Sequence, residues 1–420
     1  MQRMANRVRA VRKVLRLLGR SDNAAGGQNG VVLQPYRGYG SAHEVFLIGR
    51  VFKQPGTSPT GHRGTLRHAA IDAGRRLLRR GIADATLVVR FYGTEQRVTT
   101  DRDGYFRIHL RPAQSSPTDR LWHSIALELM SPVAIVAEGA LFIPPGTCRY
   151  VVISDIDDTV MYTGVVRKLE MLWRLFMQEA RNRAAFPGIA AFLQALHRGV
   201  SGTEGNPMLY VSRAPWSLYE VLDEFFNLHG IPIGPVLFLR EWGLTLQSPL
   251  PRRAKGHKLE LVRNMLALYD DLPFVLIGDS GQRDPEIYSQ IVREHPGRVA
   301  AIYIRNVSRN PERRRAIEAL AVEVVNAGST LLLASDSLAM ARHATEHGLI
   351  APEALSAVAE ERKVQPDEPA PKPTCELIRP TPRETREVVQ RGELTDVLDE
   401  KSDGDAPPNV VVEPEDEKGR

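Results

Sequence analysis

Val151-Val-Ile-Ser-Asp-Ile-Asp-Asp-Thr-Val160 is a short apolar run that ends in three carboxylates within four residues. An unbroken apolar run is typical of a parallel strand that is covered on both faces. Ligand sites in open sheets of such strands lie at the carboxyl ends of the strands. The stretch therefore predicts a buried strand that delivers Asp155 and Asp157 to a site where chemistry takes place.

From Val151 onward, predicted strands alternate with predicted helices. Strands are expected at residues 151–154, 208–212, 236–239, 274–278, 299–304 and 331–333, and helices begin near Pro187, Pro215, Gly256 and Pro285, followed by a last helix through His347. This order predicts an α/β domain in which parallel strands are joined by right-handed crossovers in a three-layer sandwich. An extra helical stretch at 167–183 is short enough to form a small cap over the site.

The preceding region is rich in predicted strands, at residues 43–53, 85–92, 105–111 and 122–130. Phe106, Ile108 and Leu110 alternate with polar residues, and Asp101-Arg-Asp-Gly104 predicts a hairpin turn before them. These features favour a small antiparallel β-sandwich. Residues 63–80 interrupt the strands with a predicted basic helix, whose charges are typical of a solvated face.

Four regions follow from these patterns. Residues 1–30 are predicted to form a basic amphipathic helix and a linker, residues 31–147 a β-rich domain, and residues 148–350 the α/β domain. Pro144-Pro-Gly146 marks the change from predicted strands alone to alternating strands and helices. Residues 351–420 become rich in proline and charge, with ten acidic and three basic residues from 393 onward. Such a composition buries little apolar surface, so we expect a largely disordered acidic tail.

The composition is that of an ordinary globular protein. Of the 420 residues, 43% are hydrophobic and 25% are charged, and the formal net charge is +5. The two cysteines, Cys148 and Cys375, lack metal-ligand spacing and favour a reducing compartment. We find no run of roughly 20 apolar residues of the kind that spans a bilayer. We therefore expect a cytoplasmic protein that contacts membranes peripherally at most.

The first twenty residues carry seven basic and no acidic side chains. Their apolar side chains recur at helical spacing, at Met4, Val8, Val11, Leu15 and Leu18. Such a helix would lie on an anionic membrane surface, pack on the body of the protein, or act as an organellar transit peptide, although the segment is poor in serine. We do not expect nucleic acid as a partner.

The motif Asp155-x-Asp157-x-Thr159 fits phosphoryl transfer to an aspartate. Such a reaction needs a nucleophile, a cation that offsets the repulsion between carboxylate and phosphate, and a second acid that protonates the leaving oxygen. Residues two apart in an extended segment face the same side, so Asp155 and Asp157 suit one pocket, and Thr159 can position the second acid. The alternative is an acidic turn after a strand, with no catalytic role.

Later strand ends supply the remaining chemistry. Ser212 closes a predicted strand and suits a phosphoryl oxygen, although serine also caps helices. Lys258 lies at a helix amino terminus, where the helix dipole disfavours a cation. Its position there indicates that it pairs with a phosphate or a carboxylate. Asp279 ends another apolar strand, and Asp284 either anchors a metal-bound water or caps the next helix. Mg²⁺ prefers oxygen ligands, which Asp155, the Asp157 carbonyl and Asp279 would supply.

These elements resemble the haloacid dehalogenase superfamily, in a Rossmannoid domain. Five segments are more specific and are similar to the catalytic domain of the actin-patch-protein type of phosphatidate phosphatase: Ser154-Asp-Ile-Asp-Asp-Thr-Val160, Tyr210-Val-Ser-Arg-Ala-Pro-Trp-Ser-Leu-Tyr219, Leu239-Arg-Glu-Trp-Gly243, His257-Lys-Leu-Glu260 and Ile277-Gly-Asp-Ser-Gly-Gln-Arg-Asp-Pro-Glu-Ile-Tyr288. The resemblance covers residues 150–350 and implies Mg²⁺-dependent hydrolysis of phosphatidate to diacylglycerol and phosphate.

The resemblance also implies residue roles. Asp155 would be the nucleophile and Asp157 the acid and then the base. Phosphate would be bound by Ser212, Arg213 and Lys258, and the metal by Asp155, Asp157, Asp279 and Asp284.

Two other functions stay open. The same site would serve a soluble phosphomonoester, because no motif encodes the acyl chains. The chain would alternatively be a non-catalytic membrane adaptor. Trp173, Trp216 and Trp242 suit either a lipid interface at the site mouth or the protein core.

Overall fold

The computed structural model describes residues 25–26, 30–54, 79–156, 159–160, 185–212, 216, 219–238 and 256–364. The strands in the first part of the described chain are β1 (Ala25–Gly26), β2 (Val31–Pro35), β3 (Gly38–Gly40), β4 (Val45–Lys53), β5 (Arg80–Gly81), β6 (Thr86–Phe91), β7 (Thr94–Thr99), β8 (Tyr105–Leu110), β9 (Trp122–Ser131) and β10 (Ile135–Phe142). They form one sheet in the order β1-β2-β4-β3-β10-β9-β6-β7, with β5 and β8 paired to β4. The four predicted strands are confirmed within two residues at each end.

Alternation of apolar and polar residues builds this sheet. In β8, Phe106, Ile108 and Leu110 are buried while Arg107 and His109 turn away from the core. Apolar residues of β2, β4, β6, β8, β9 and β10 meet in one cluster. Because strands from distant positions in the sheet share this cluster, the sheet curves around its own core.

The predicted hairpin at Asp101–Gly104 is wrong, although the turn itself forms. The Gly104 amide donates to the Asp101 carbonyl over 2.9 Å, and Gly104 has a φ of 82° that favours glycine. The strands on either side pair elsewhere, β7 with β6 and β8 with β4. Strand β7 has no buried residue, whereas pairing with β4 places the apolar side of β8 in the core.

The second sheet begins at the stretch from Val151. In chain order the elements are β11 (Val151–Asp155), α1 (Ile189–Arg198), β12 (Met208–Ser212), α2 (Tyr219–His229), β13 (Val236–Phe238), α3 (His257–Leu268), β14 (Phe274–Asp279), α4 (Asp284–Glu294), β15 (Val299–Arg305), α5 (Pro311–Asn326), β16 (Leu331–Ala334), α6 (Ser337–Glu346) and α7 (Ala354–Val364). The strand order is β13-β12-β11-β14-β15-β16, and every pairing is parallel. The mixed α/β class with a parallel sheet is confirmed.

Successive residues of β11 point to different apolar clusters. Val151 and Ile153 pack in a cluster with residues of α3, α4 and α5, whereas Val152 packs in a cluster with residues of α1, α2 and α6. Burial on both faces explains why the strand sequence is continuously apolar. The carboxyl ends of all six parallel strands consequently lie at one edge of the sheet.

Several predictions lie outside the described residues: the basic helix at 1–20, most of the helical stretch at 63–80, the cap at 167–183 and the tail from 365 onward. Arg80, at the end of the predicted helix, belongs instead to β5. Helix α7, at Ala354–Val364, lies at the start of the region predicted to be a largely disordered tail, and the prediction is wrong for these residues because Val358 is buried in the core. The proposed domain boundaries stay a prediction. Among the described helices, none has the length and apolar character needed to cross a membrane.

Candidate active site

Asp155 is the last residue of β11 and has only 1% of its surface exposed. Its Oδ1 atom accepts a hydrogen bond from Lys258 Nζ over 2.8 Å, and its Oδ2 atom accepts one from Gln282 Nε2 over 3.1 Å. Each carboxylate oxygen has two lone pairs. These two hydrogen bonds therefore hold the Asp155 carboxylate in one orientation at the end of β11.

Lys258 lies in the first turn of α3 and is buried between two carboxylates. Its Nζ atom is 2.6 Å from Oδ1 of Asp284, in addition to its contact with Asp155. Burial alone would lower the pKa of Lys258, but the charges of Asp155 and Asp284 outweigh burial and raise the pKa well above its usual value. The ammonium group is therefore charged at neutral pH, in spite of the helix dipole.

Strand β14 delivers Asp279, and the turn after it folds back around that side chain. Oδ1 of Asp279 accepts hydrogen bonds from the amides of Gly281 (2.7 Å) and Gln282 (2.9 Å). Oδ2 of Asp284 accepts from the Asp279 amide over 3.3 Å. A Cβ atom at Gly278 would lie 2.3 Å from Oδ2 of Asp284, so this close approach requires glycine.

Asp284 was expected either to anchor a metal-bound water or to cap a helix. The structure makes it the first residue of α4, whose N-cap is Arg283, and gives no side-chain cap hydrogen bond. The Asp284 carboxylate is instead fully buried against Lys258 and the Asp279 amide. Its environment is that of a site residue.

Asp155, Asp279 and Asp284 form a buried cluster in which one oxygen of each lies within 4.8 Å of the others. Oδ2 of Asp279 is buried and has no hydrogen-bond partner within the described part of the chain. Burial, followed by the charge of Asp284, raises the pKa of Asp279 to about 6, against the opposing effects of Lys258 and two amides. An oxygen-only donor set with an unsatisfied carboxylate atom fits a hard divalent cation. The three aspartates could therefore bind a metal ion.

Ser212 and Thr159 lie at the same edge of the sheet. Ser212 ends β12, the neighbour of β11, and is 1% exposed. Thr159 is buried, and its hydroxyl has no hydrogen-bond partner among the residues described. Two other predicted site residues, Asp157 and Arg213, are outside the described residues, and their roles stay predictions.

Four residues that shape this site are not among those predicted from the sequence. Gln282 contacts the carboxylate of Asp155 directly. Arg313 donates to the carbonyls of Ser280 (2.9 Å) and Gln282 (2.6 Å) and so holds the turn after β14. The other two residues are Arg305 and Gly278. Arg305 donates a hydrogen bond to the Thr159 carbonyl over 3.2 Å. In the sequence, Gly278 and Gln282 could be linked to the site only because they belong to the segment Gly278-Asp-Ser-Gly-Gln-Arg-Asp284.

The part of the chain that carries this site is similar to a known catalytic domain. Residues 150–306 match the model of the phosphatidate phosphatase APP1 catalytic domain. This region is therefore similar to that catalytic domain. The matched region contains Asp155, Ser212, Lys258, Asp279 and Asp284, and the family is one of phosphoric monoester hydrolases.

Two curated proteins are similar to parts of this chain. An uncharacterized protein of Schizosaccharomyces pombe is 26% identical over 247 residues, which cover 55% of this chain and 39% of the relative. Phosphatidate phosphatase APP1 of Saccharomyces cerevisiae is 29% identical over 154 residues, which cover 36% of this chain and 25% of the relative. The chain thus spans well under half of the length of either relative.

A solved structure of another protein is only weakly similar to this chain. A carbohydrate acetylesterase from Xanthomonas citri is 9% identical, with coverage of 69% of this chain and 72% of its own and a TM-score of 0.20. A score this low carries no argument about fold or function.

Proposed function

We propose that this protein is a Mg²⁺-dependent phosphatidate phosphatase, which converts phosphatidate to diacylglycerol and phosphate through an aspartyl-phosphate on Asp155. The observation that carries the proposal is the buried contact of Asp155 with Lys258, beside Asp279 and Asp284, within a region of the phosphatidate phosphatase APP1 family. Phosphatidate is a phosphoric monoester, so the chemistry required is phosphoryl transfer to water.

In the first step, an Asp155 carboxylate oxygen attacks the phosphorus atom in line with the ester oxygen. A bond forms between Asp155 and phosphorus, and the bond between phosphorus and the glycerol oxygen breaks. Asp157 gives its proton to the departing oxygen, which yields the free hydroxyl of diacylglycerol. Lys258 and Gln282 hold the Asp155 carboxylate in one orientation for this attack.

In the second step, water hydrolyses the aspartyl-phosphate. Asp157, now deprotonated, takes a proton from the water as its oxygen forms a bond to phosphorus. The bond from phosphorus to Asp155 breaks, which releases phosphate and restores the carboxylate. Ser212 and Arg213 would hold the non-reacting phosphoryl oxygens, together with the charge of Lys258.

Magnesium would be held by Asp155, Asp279, Asp284 and the carbonyl of Asp157. When bound, it offsets the repulsion between the phosphate and the Asp155 carboxylate. The support is the donor set itself, with its buried and unpartnered Asp279 oxygen.

The fold supports the same family of reactions. Helices pack on both faces of the parallel sheet, as in a three-layer haloacid-dehalogenase-like domain, with residues 167–183 as its proposed cap. The curved sheet of β1–β10 would correspond to the expected β-sandwich-like domain.

The decisive experiment measures phosphate release from phosphatidate in detergent micelles and from a panel of soluble sugar and nucleotide phosphates. We expect release from phosphatidate with Mg²⁺, and background rates with EDTA or in Asp155→Asn. A clear preference for a soluble ester would keep the chemistry but reject the lipid substrate. Wild-type turnover by Asp155→Asn would reject the mechanism.

We further propose that the protein acts in the cytoplasm and contacts anionic membranes through residues 1–20. The support is the seven basic residues of that segment at amphipathic spacing. Flotation with phosphatidylserine liposomes should weaken when residues 1–20 are deleted, and unchanged flotation would reject the segment as an anchor. Flotation without any phosphatase activity would favour the adaptor function instead.

A further inference from the structure

Tyr36 links the β-rich sheet to the active-site sheet. It lies between β2 and β3, is 3% exposed and stacks on Trp216, with ring centroids 5.0 Å apart and an interplanar angle of 7°. Trp216 belongs to the other part of the chain, four residues after Ser212. A residue that connects two strands of the β-rich sheet therefore packs against an aromatic side chain four residues after the proposed phosphate-binding serine.

Trp216 in turn packs beside the strand end that carries Ser212. Its ring lies 4.5 Å from the ring of Phe238. In the parallel pairing of β12 with β13, Phe238 is the direct partner of Ser212. The rings of Tyr36, Trp216 and Phe238 thus form a continuous row of contacts that ends at the strand partner of Ser212, with Trp216 stacked on Tyr36 and tilted by 55° against Phe238. All three are at most 4% exposed.

Tyr36 is itself held firmly in place. Its amide donates to the Ile48 carbonyl of β4 over 2.9 Å. The next residue, Arg37, donates its amide to the hydroxyl of Tyr219 over 2.9 Å and forms an ion pair with Asp223 of α2. Tyr36 also contacts the Tyr219 ring, with centroids 4.3 Å apart. These contacts stop Tyr36 from moving away from Trp216 without breaking hydrogen bonds on both sides.

We propose that Tyr36 is a positioning residue for the phosphatase reaction, and that through Trp216 and Phe238 it fixes the carboxyl end of β12 and hence Ser212. The proposal rests on the proposed function, because it assigns Ser212 to the phosphoryl group. It also gives the β-rich sheet a role in catalysis. Loss of the Tyr36 ring opens space beside Trp216, and rings that lose a packing neighbour gain freedom. Ser212 then binds the phosphoryl group less well.

The test compares Tyr36→Leu, which removes the ring, with Tyr36→Phe, which keeps it. Inorganic phosphate is used as a competitive inhibitor, because its inhibition constant does not depend on the fraction of active enzyme. We expect Tyr36→Leu to raise the inhibition constant and KM about 10-fold, since small misplacements of binding groups are costly, and Tyr36→Phe to restore both. A loss of kcat alone, with both constants unchanged, would indicate a structural role only and overturn the proposal.

The matched control is Arg79→Gln. Arg79 pairs with Glu220 on α2 and so also joins the two parts of the chain, and its guanidinium lies over Phe52. Arg79→Gln should leave both constants unchanged. If Arg79→Gln raised them as much as Tyr36→Leu, the effect would belong to the whole interface and the assignment to Tyr36 would be wrong.

A second measurement does not depend on enzyme activity. Amide hydrogen exchange by mass spectrometry should be faster in Tyr36→Leu for peptides that contain Ser212, while peptides from β14 keep the wild-type rate. Unchanged exchange at Ser212 would overturn the proposal even if the protein is an active phosphatase. Faster exchange in a protein that neither hydrolyses phosphomonoesters nor binds phosphate would uphold the positioning of Ser212 and reject the proposed function instead.

Discussion

The ammonium group of Lys258 donates a hydrogen bond to Oδ1 of Asp155 over 2.8 Å, and both side chains are buried. This contact joins the start of α3 to the end of β11. Lys258 also contacts Asp284, so a single cation separates two carboxylates that would otherwise repel each other at short range. The site is therefore sensitive to any change that removes this charge.

Replacement of Lys258 by methionine should lower kcat by about 10²- to 10³-fold, as expected when one preorganised donor is lost from a site. Lys258→Arg keeps the charge but changes its shape, and we expect an intermediate rate. Steady-state phosphate release, corrected for the folded fraction by circular dichroism, provides the measurement. A Lys258→Met enzyme within threefold of the wild-type rate would exclude a role of Lys258 in turnover.

Asp279 should be the carboxylate on which metal binding depends most, because its Oδ2 atom is buried without a partner in the described structure. We expect Mg²⁺ to raise the melting temperature of the wild-type protein but not that of Asp279→Asn, and EDTA to reverse the shift. Differential scanning fluorimetry measures this without any substrate. The control is Asp270→Asn, a change at an exposed acid, which should keep the full rise in melting temperature. An equal rise in Asp279→Asn would show that the metal binds elsewhere.

The parallel sheet could be predicted because its strands are uninterrupted apolar runs, as in β11 and β14. Such runs are typical of parallel strands that are buried on both faces. Strand β7 was missed because Thr94-Glu-Gln-Arg-Val-Thr99 is polar on both sides, and β3 because two of its three residues are glycine. Helix α5 was missed because it buries only Ile317 and Val324.

The aspartates of the site could be placed from sequence because each follows an apolar strand or stands close behind one. The partners that orient them could not. Gln282 and Asp155 are 127 positions apart, and no local pattern marks a glutamine that makes such a contact. Tyr36 and Trp216 show the same limit, since their stacking depends on how two sheets pack together.

His229, at the end of α2, should make stability depend on pH. Burial lowers the pKa of His229 to about 4, below the ordinary value of about 6.5 in an unfolded chain. The unfolded state therefore binds more protons between these values, so stability is full above pH 6.5 and is lost as the pH falls toward 4. Urea unfolding at pH 7 and pH 5 should show a larger loss for wild type than for His229→Gln. Equal losses would show that His229 does not contribute.

Gly278 should be intolerant of even one added carbon atom. An alanine Cβ would lie 2.3 Å from Oδ2 and 2.6 Å from Cβ of Asp284, and Asp284 cannot retreat without losing its contacts with Lys258 and the Asp279 amide. We expect Gly278→Ala to cost about 1–3 kcal/mol of stability, as other overpacked core substitutions do, and to lower turnover at least tenfold in the protein that still folds. Gly146→Ala, where an added Cβ meets no atom within 4 Å, is the matched control and should change neither value. A Gly278→Ala protein with wild-type melting temperature and kcat would mean that Asp284 is free to move and does not define the geometry of the site.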